Sequence, residues 1–168
     1  YLITPEWIKK NARHLKTVGF SIDSFFEDTI RSIGRCTSTG KFLDVNKLIQ
    51  IINLFKQYNP DIKIKINTVV SSLNKTENIA AEIIKNKMSV DRWKLLKMCL
   101  FKNDSFNNYD LAISDDDYHD FVKRNVETFG IRDVFDTLMI AENGTEIVVE
   151  QHINGGYIMI DSGGYLVD

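Results

Sequence analysis

Two short stretches decide the fold: residues 63–67, with the sequence K-I-K-I-N, and residues 91–94, with the sequence D-R-W-K. In the first stretch, isoleucines alternate with lysines and an asparagine, which is the period-two pattern of a β-strand with one buried face. The β-branched residues 68–70 (T-V-V) continue this strand. Residues 78–87 then have the pattern of a helix, and residues 90–101 that of a second strand.

A strand, a helix and a second strand in this order form a crossover unit, whose strands are parallel and joined by a right-handed connection. Each strand carries a pair of cationic side chains, Lys63 with Lys65 and Arg92 with Lys94. We expect Lys65, Arg92 and Lys94 to point to one side of the sheet and to form a basic wall. The natural ligand of such a wall is a chain of phosphates.

The composition is that of an ordinary globular protein, with 43% hydrophobic and 26% charged residues, and a length of 168 residues indicates one domain. The net charge of −2 argues against broad binding of nucleic acid or a membrane surface. Two cysteines indicate a reducing compartment, and we predict a cytoplasmic protein. No apolar run is long enough to predict a membrane span. The chain begins at Tyr1 rather than methionine, and we expect it to be part of a longer protein.

The remaining elements alternate along the first hundred residues. Helices are predicted at 5–15, 25–33 and 44–58, with a short strand at 17–22. A polar loop at 102–110 follows, then a helix from Ser114 to about Asn125, and short strands at 146–150, 157–160 and 165–167. The pattern therefore predicts an α/β fold: a βαβαβ unit with an α+β tail. In such folds the ligand lies beyond the carboxyl ends of the parallel strands.

Six motifs carry a resemblance to a known family. They are S-I-D-S-F at 21–25, S-I-G-R at 32–35, K-I-N-T-V-V at 65–70, D-R-W-K at 91–94, I-S-D-D-D-Y at 113–118 and G-Y-I-M-I-D at 156–161. In this order and spacing, the whole chain resembles the second half of the viperin family of radical S-adenosylmethionine enzymes. The resemblance implies the second half of a partial (β/α)₆ barrel at residues 1–110, and an α+β extension covering the active site at residues 111–168.

The resemblance also implies a reaction. Members of this family hold a [4Fe–4S] cluster in a CxxxCxxC loop near the N-terminus and cleave S-adenosylmethionine to a 5′-deoxyadenosyl radical. Viperin dehydrates CTP to 3′-deoxy-3′,4′-didehydro-CTP, a chain terminator for viral polymerases, and microbial relatives are expected to use CTP, GTP or UTP. This chain has no CxxxCxxC motif. We therefore expect the cluster ligands in a missing N-terminal half of the same barrel, together with an external reducing electron donor.

Residue by residue, the resemblance assigns three groups. Ser21 and Arg35 match positions that contact S-adenosylmethionine. The positions matching those that hold the triphosphate are Lys65, Asn67, Arg92 and Lys94. Tyr157 matches a tyrosine beside the substrate sugar, where a phenol can supply a hydrogen atom or a proton. No metal ligand is expected among the residues of this chain.

Simpler structural interpretations exist for the same residues. Lys65 would be solvated if its strand lay at the sheet edge. Arg92 and Lys94 would be structural if they paired with Asp91 or Glu82, and Arg35 if it paired with Asp28. In the same way, Tyr157 would be a half-buried strand residue. The acidic run 115–117 suits a helix N-terminus better than a metal site.

Two functional hypotheses therefore remain open. The first is an enzyme half, part of a radical S-adenosylmethionine lyase that acts on a ribonucleoside triphosphate. The second is a non-catalytic nucleotide-binding or interaction module derived from the same family.

Overall fold

The computed structural model describes residues 3–36, 39–100, 102–103, 106–132, 137–150, 159–160 and 166–167, with backbone alone at 102–103, 106–107, 159–160 and 166–167. Its helices are α1 (Pro5–Asn11), α2 (Glu27–Ile33), α3 (Val45–Tyr58), α4 (Ile79–Lys85) and α5 (Asp115–Thr128), and 3₁₀ turns lie at Ala12–His14 and Tyr109–Leu111. The strands are β1 (Thr17–Ser21), β2 (Lys63–Val70), β3 (Arg92–Lys97), β4 (Lys102–Asn103), β5 (Phe106–Asn107), β6 (Leu138–Ile140), β7 (Glu146–Glu150), β8 (Met159–Ile160) and β9 (Leu166–Val167).

The main sheet has five strands in the order β1-β2-β3-β7-β6. Strands β1, β2, β3 and β7 are parallel, and β6 pairs antiparallel with β7. This topology confirms the predicted α/β class. β7 comes from the predicted C-terminal extension but pairs directly with β3 in the main sheet. The division into residues 1–110 and 111–168 stays a prediction.

Strand β2 lies between β1 and β3, and one of its faces is strongly apolar. Ile64, Ile66 and Val70 are fully buried, and they alternate with residues that are partly or fully exposed. The buried face packs against the helices in one continuous core. The opposite face of the sheet carries the alternating polar residues and is the face on which a polar ligand can be bound.

Trp93 of the D-R-W-K motif anchors three strands to one another. Its indole Nε1–H donates to the Thr68 hydroxyl at 2.9 Å, and the Thr68 hydroxyl donates to the Ile22 carbonyl at 2.6 Å. All three residues are fully buried. Because each buried polar group has its partner, this chain of hydrogen bonds fixes the alignment of β1, β2 and β3 near the carboxyl end of β1.

The helices begin where the sequence provides capping residues. Side-chain oxygens of four N-cap residues each accept a hydrogen bond from a backbone N–H in the first turn at 3.0–3.2 Å; these residues are Thr4, Asp44, Asn78 and Ser114. Helix α2 ends at Gly34, whose φ of 78° is a left-handed conformation that favours glycine. This ending directs the chain at residue 35 back towards β1.

Several predicted boundaries differ from those in the structure. The helix predicted at 5–15 ends at Asn11 and continues as a 3₁₀ turn, and the strand predicted at 90–101 is confined to Arg92–Lys97. The predicted loop 102–110 contains the short antiparallel pair β4–β5, since a two-residue ladder needs no apolar alternation. Strand β6 was not predicted. No helix in the described part of the chain is both long and apolar enough to cross a membrane.

Candidate active site

The strand register brings the predicted site residues to one face of the sheet. Lys65 pairs with Arg92, Asn67 pairs with Lys94, and Ser21 pairs with Asn67. Directly paired residues project to the same face, and neighbouring strands lie about 4.8 Å apart. The basic wall therefore lies on one face, adjacent to Ser21. The interpretation of Lys65 as a residue of an edge strand is wrong, because β2 has a neighbour on each side.

Two residues of the basic wall pair with carboxylates that the sequence did not suggest. Arg92 Nε lies 3.3 Å from Glu146 Oε2, and Lys94 forms an ion pair with Glu150. Both glutamates belong to β7, which neighbours β3. Lys65 has no ion-pair partner within the described residues. The wall is thus partly neutralised by acidic residues on the same sheet face.

The partners predicted for a structural role of the wall were wrong. Asp91 instead binds Lys56 at 2.9 Å and Lys63 at 3.2 Å, and it accepts the Ile64 backbone N–H at 2.8 Å. Burial disfavours the charged form of Asp91, but the hydrogen bonds from Ile64, Lys56 and Lys63 outweigh it and lower the pKa of the carboxyl. Asp91 is thus an ionised anchor at the amino end of β2.

Glu82, the other predicted partner, binds Lys85 within α4 at 3.1 Å. The pair stands three residues apart on one helix and uses no residue of the sheet. Glu82 therefore does not pair with the basic wall, whose ion-pair partners are Glu146 and Glu150 of β7.

Asn67 carries an unsatisfied polar atom in the middle of this face. Its Oδ1 is buried and has no hydrogen-bond partner within the described part of the chain. Buried side-chain oxygens normally accept a hydrogen bond. This oxygen, next to Lys94 and Ser21 in the register, therefore offers an acceptor to a ligand that carries hydroxyl or amino groups.

Ser21 and Arg35 line a second part of the site. Both residues border a cavity of about 420 Å³, with Gly19, Cys36 and Lys41 among its other lining residues. Ser21 ends β1, and Arg35 follows the left-handed turn that closes α2. The geometry brings together a hydroxyl and a guanidinium, which suit the polar groups of an amino acid.

Arg35 pairs with Asp23, and the predicted pair with Asp28 was wrong. Arg35 Nε lies 2.5 Å from Asp23 Oδ2. Asp23 is only 3% exposed, and its Oδ1 accepts the Val69 backbone N–H at 2.8 Å. In the sequence, Asp23 belongs to the S-I-D-S-F motif and is predicted, with Ser24, to end the strand and cap the next helix, whereas the N-cap residue of α2 is Phe26. The sequence signal for this residue was its place directly after the predicted strand 17–22, and its burial is seen only in the structure.

Glu77 is a second acid near the carboxyl ends of the strands, and it is half-buried. Its Oε1 accepts the Ser24 hydroxyl at 3.0 Å, and its Oε2 is buried without a partner among the described residues. Burial raises the pKa of Glu77, although hydrogen bonds from Thr29 and Ser24 oppose the shift. Glu77 joins the loop after β1 to the loop after β2.

Tyr157, the predicted catalytic residue, lies outside the described residues. The acidic run behaves as expected for a helix N-terminus: Asp115 pairs with Lys97, and Asp117 binds Lys75 at 2.9 Å. No set of three His, Cys, Asp or Glu residues in the described part of the chain is arranged to hold a metal ion.

An iron–sulfur cluster does not fit the residues of this chain alone. The sequence contains two cysteines, fewer than the three in a CxxxCxxC motif, and both thiols are free. S-adenosylmethionine does fit the pair formed by Ser21 and Arg35, because its amino acid portion requires donors for a carboxylate.

Comparisons with known proteins identify relatives of this chain. No family model matches the chain. It is 35% identical to an S-adenosylmethionine-dependent nucleotide dehydratase of Selenomonas ruminantium, over 99% of this chain and 53% of the relative. A protein of the same name from Lacinutrix mariniflava is 31% identical over 99% of this chain and 31% of the relative. The dehydratase RSAD2 of Danio rerio is 28% identical over 74% of this chain and 34% of the relative. The chain thus spans about half, or less, of the length of these relatives.

A solved structure supports the fold. The structure of native anSMEcpe with bound AdoMet and Kp18Cys peptide matches with a TM-score of 0.58 and 20% identity, over 76% of this chain and 34% of that chain. The mostly parallel α/β sheet of this chain is therefore a fold that it shares with that structure. Over almost all of its length, the chain is homologous to the viperin-like S-adenosylmethionine-dependent nucleotide dehydratases. These relatives confirm the resemblance predicted from the six motifs.

Proposed function

We propose that this chain is the substrate-binding half of a viperin-like radical S-adenosylmethionine lyase. The intact enzyme would dehydrate a ribonucleoside triphosphate, CTP or alternatively UTP or GTP, to its 3′-deoxy-3′,4′-didehydro analogue, an antiviral chain terminator. The observation that carries the proposal is the shared sheet face on which Ser21, Asn67 and the basic wall are neighbours. Homology to nucleotide dehydratases over 99% of the chain supports it.

In this proposal each part of the face has its own task. Lys65, Arg92 and Lys94 neutralise the triphosphate, whose charge replaces that of Glu146 and Glu150 at the wall. Asn67 Oδ1 accepts a hydrogen bond from the nucleotide, which satisfies an oxygen that otherwise lacks a partner.

Ser21 and Arg35 orient S-adenosylmethionine beside the nucleotide. Bound to a [4Fe–4S] cluster, S-adenosylmethionine supplies the radical chemistry. Tyr157 delivers a hydrogen atom or a proton to the sugar. The register between Ser21 and Asn67 supports a short distance between the two ligands.

The proposed architecture is the second half of a partial (β/α)₆ barrel at residues 1–110 with an extension at 111–168 that covers the site. The first half of the barrel would supply the cluster ligands and a strand beside β1, which has β2 as its neighbour in the described sheet. A reducing electron donor is the other partner.

The test is anaerobic reconstitution of the intact protein with S-adenosylmethionine, a reductant and each ribonucleoside triphosphate in turn. We expect 5′-deoxyadenosine together with a nucleotide that has lost one water, measured by mass spectrometry. Triphosphate binding without either product would overturn the lyase and favour the non-catalytic nucleotide-binding module.

A further inference from the structure

We propose that Asp23 is a positioning residue for Arg35 and thereby sets the affinity for the carboxylate of S-adenosylmethionine. The inference rests on the proposed function, because it concerns the S-adenosylmethionine site. Asp23 would act one step away from the ligand, through the side chain of Arg35.

The first observation is that Asp23 is held on three sides. Its carboxylate accepts the Val69 N–H at 2.8 Å and the Arg35 Nε–H at 2.5 Å, and its backbone carbonyl accepts a hydrogen bond from Asn74 Nδ2 at 2.7 Å. Asn74 is itself fully buried and also donates to the Val69 carbonyl at 2.9 Å. The carboxylate therefore has a fixed position relative to β2, and the side chain that it binds is fixed as well.

The second observation is the way in which Asp23 holds the guanidinium. A guanidinium has five N–H donors, and the bond to Asp23 uses the one on Nε. The bond to Asp23 does not use the two Nη groups, which together can form a fork with a carboxylate. The Arg35 side chain is 39% exposed and lines the same cavity as Ser21.

The third observation is that Asp23 cannot itself bind the ligand. It is 3% exposed, and both carboxylate oxygens already accept hydrogen bonds. Its effect on a ligand must therefore pass through Arg35. The backbone of Arg35 is also fixed, because its N–H donates to the Ile30 carbonyl at 3.1 Å and its carbonyl accepts the Leu43 N–H at 3.1 Å. With the backbone fixed, Asp23 controls the direction in which the Arg35 side chain points.

The test is Asp23→Asn in the intact, anaerobically reconstituted protein. Asparagine keeps an oxygen for the Val69 N–H but removes the charge that attracts Arg35. Binding is measured by equilibrium dialysis with two ligands that are not consumed: S-adenosylhomocysteine, which retains the carboxylate, and 5′-methylthioadenosine, which lacks it. We expect S-adenosylhomocysteine to bind about tenfold more weakly, the loss expected when one charge-assisted hydrogen bond is removed, and methylthioadenosine to bind as before.

Asp91→Asn is the matched control. Asp91 also accepts a backbone N–H of β2 and pairs with cations, but it lies at the amino end of the strand. We expect this variant to bind both ligands like the wild type. Equal weakening of both ligands by Asp23→Asn, or the same loss in Asp91→Asn, would show a general structural effect and overturn the inference.

A double-mutant cycle with Arg35→Ala gives an independent measurement. If Asp23 acts through Arg35, Asp23→Asn has no further effect on S-adenosylhomocysteine binding in the Arg35→Ala background. A full additional loss there would overturn the inference. Normal binding and dehydration by the wild type, with no effect of Asp23→Asn, would leave the proposed function intact, whereas a wild type that binds neither ligand would overturn both.

Discussion

Arg92 lies at the centre of the basic wall, between Lys65 on β2 and Glu146 on β7. We predict that Arg92→Ala weakens nucleoside triphosphate binding by about 1–3 kcal/mol, because a charge-assisted hydrogen bond to phosphate is lost. Binding of the corresponding nucleoside is expected to change little. Calorimetric titration of the intact protein with both ligands measures the difference, and Lys94→Ala is expected to behave in the same way.

Lys63→Ala provides the control for the wall. Lys63 lies on the same strand as Lys65, but its side chain is 68% exposed and pairs with Asp91. Triphosphate affinity is expected to be unchanged in this variant. If Arg92→Ala weakened triphosphate and nucleoside equally, the guanidinium would have a structural role and the phosphate site would be wrong.

Glu77 should make stability depend on pH in a direction opposite to that of a paired carboxylate. Because burial raises its pKa in the folded state, the folded protein binds the proton more tightly than the unfolded chain. Stability therefore falls as the pH rises through the interval between the unfolded pKa, about 4.3, and the higher folded pKa. We predict that Glu77→Gln is more stable than the wild type at neutral pH, and that the difference closes as the pH falls towards about 4.

Urea unfolding of the intact protein between these pH values measures this difference. Glu142→Gln is the matched control, since Glu142 is an exposed carboxylate. A difference between Glu77→Gln and wild type that stays constant with pH would mean that the hydrogen bond from Ser24, and not the buried charge, governs this position.

Tyr157 lies after Asn154-Gly155-Gly156 in the sequence. Glycines allow a backbone to approach a ligand closely. We predict that Tyr157→Phe still binds nucleotide and still cleaves S-adenosylmethionine but forms much less dehydrated nucleotide, because only the hydroxyl is lost. Separate quantification of 5′-deoxyadenosine and nucleotide product tests this. An unchanged ratio of the two would make Tyr157 a packing residue.

At the scale of elements, Asn125 joins α5 to α4. It is fully buried, accepts the Ala80 N–H at 2.9 Å, and donates to the carbonyls of Glu77 at 3.1 Å and Phe121 at 2.9 Å. Asn125→Ala would leave the Ala80 N–H and the Glu77 carbonyl without this partner in the core. We predict a loss of about 2–3 kcal/mol in the free energy of unfolding, measured with urea.

Asn46→Ala on α3 is the comparison, because Asn46 is exposed. We expect Asn46→Ala to change the free energy of unfolding by no more than about 0.5 kcal/mol. Similar losses in the two variants would indicate that Asn125 contributes through helix propensity and not through its hydrogen bonds.

Elements with strong periodicity were predictable from sequence. In β2 the isoleucines alternate with polar residues, and in α3 the apolar residues recur at helical spacing. β6 has only three residues, L-M-I, and all of them are apolar. Met139 is buried and its neighbours Leu138 and Ile140 are exposed, but this alternation cannot be seen in a sequence without polar residues. Local patterns therefore predict elements that are long enough to show a period.

The pairing of elements was harder to predict than the elements themselves. Strand 146–150 was predicted, but its place beside β3 was not, because parallel neighbours far apart in sequence leave no local signal. The partners of Arg92 and Lys94 follow from that pairing, and so they were missed. The predicted partners, Asp91 and Glu82, are close to Arg92 and Lys94 in the chain, whereas Glu146 and Glu150 are their neighbours only in the sheet.

At the scale of the whole molecule, the outer edge of β1 provides a test of the proposed barrel. The Ile22 N–H donates to Asn67 on β2, so by alternation the amides of Gly19 and Ser21 point away from β2. We predict that in the intact protein these two amides exchange with solvent as slowly as those of Val18 and Phe20, because a further strand pairs with β1. Hydrogen exchange with residue resolution measures the four rates.

Fast exchange at Gly19 and Ser21 alone would make β1 a true edge and contradict the proposed barrel. The internal comparison needs no second protein, since the amides of Val18 and Phe20 face β2 and report the stability of the same strand.

The carboxylates of β7 have a further consequence for selectivity. Because Arg92 and Lys94 already hold Glu146 and Glu150, an incoming anion must compete with counterions that are tethered to the protein. In the proposed site, a triphosphate would offer more negative charge than a single phosphate and could contact Arg92, Lys94 and Lys65 at once. In the proposed site, these glutamates would therefore favour a polyanion long enough to span two strands over inorganic phosphate and monophosphates.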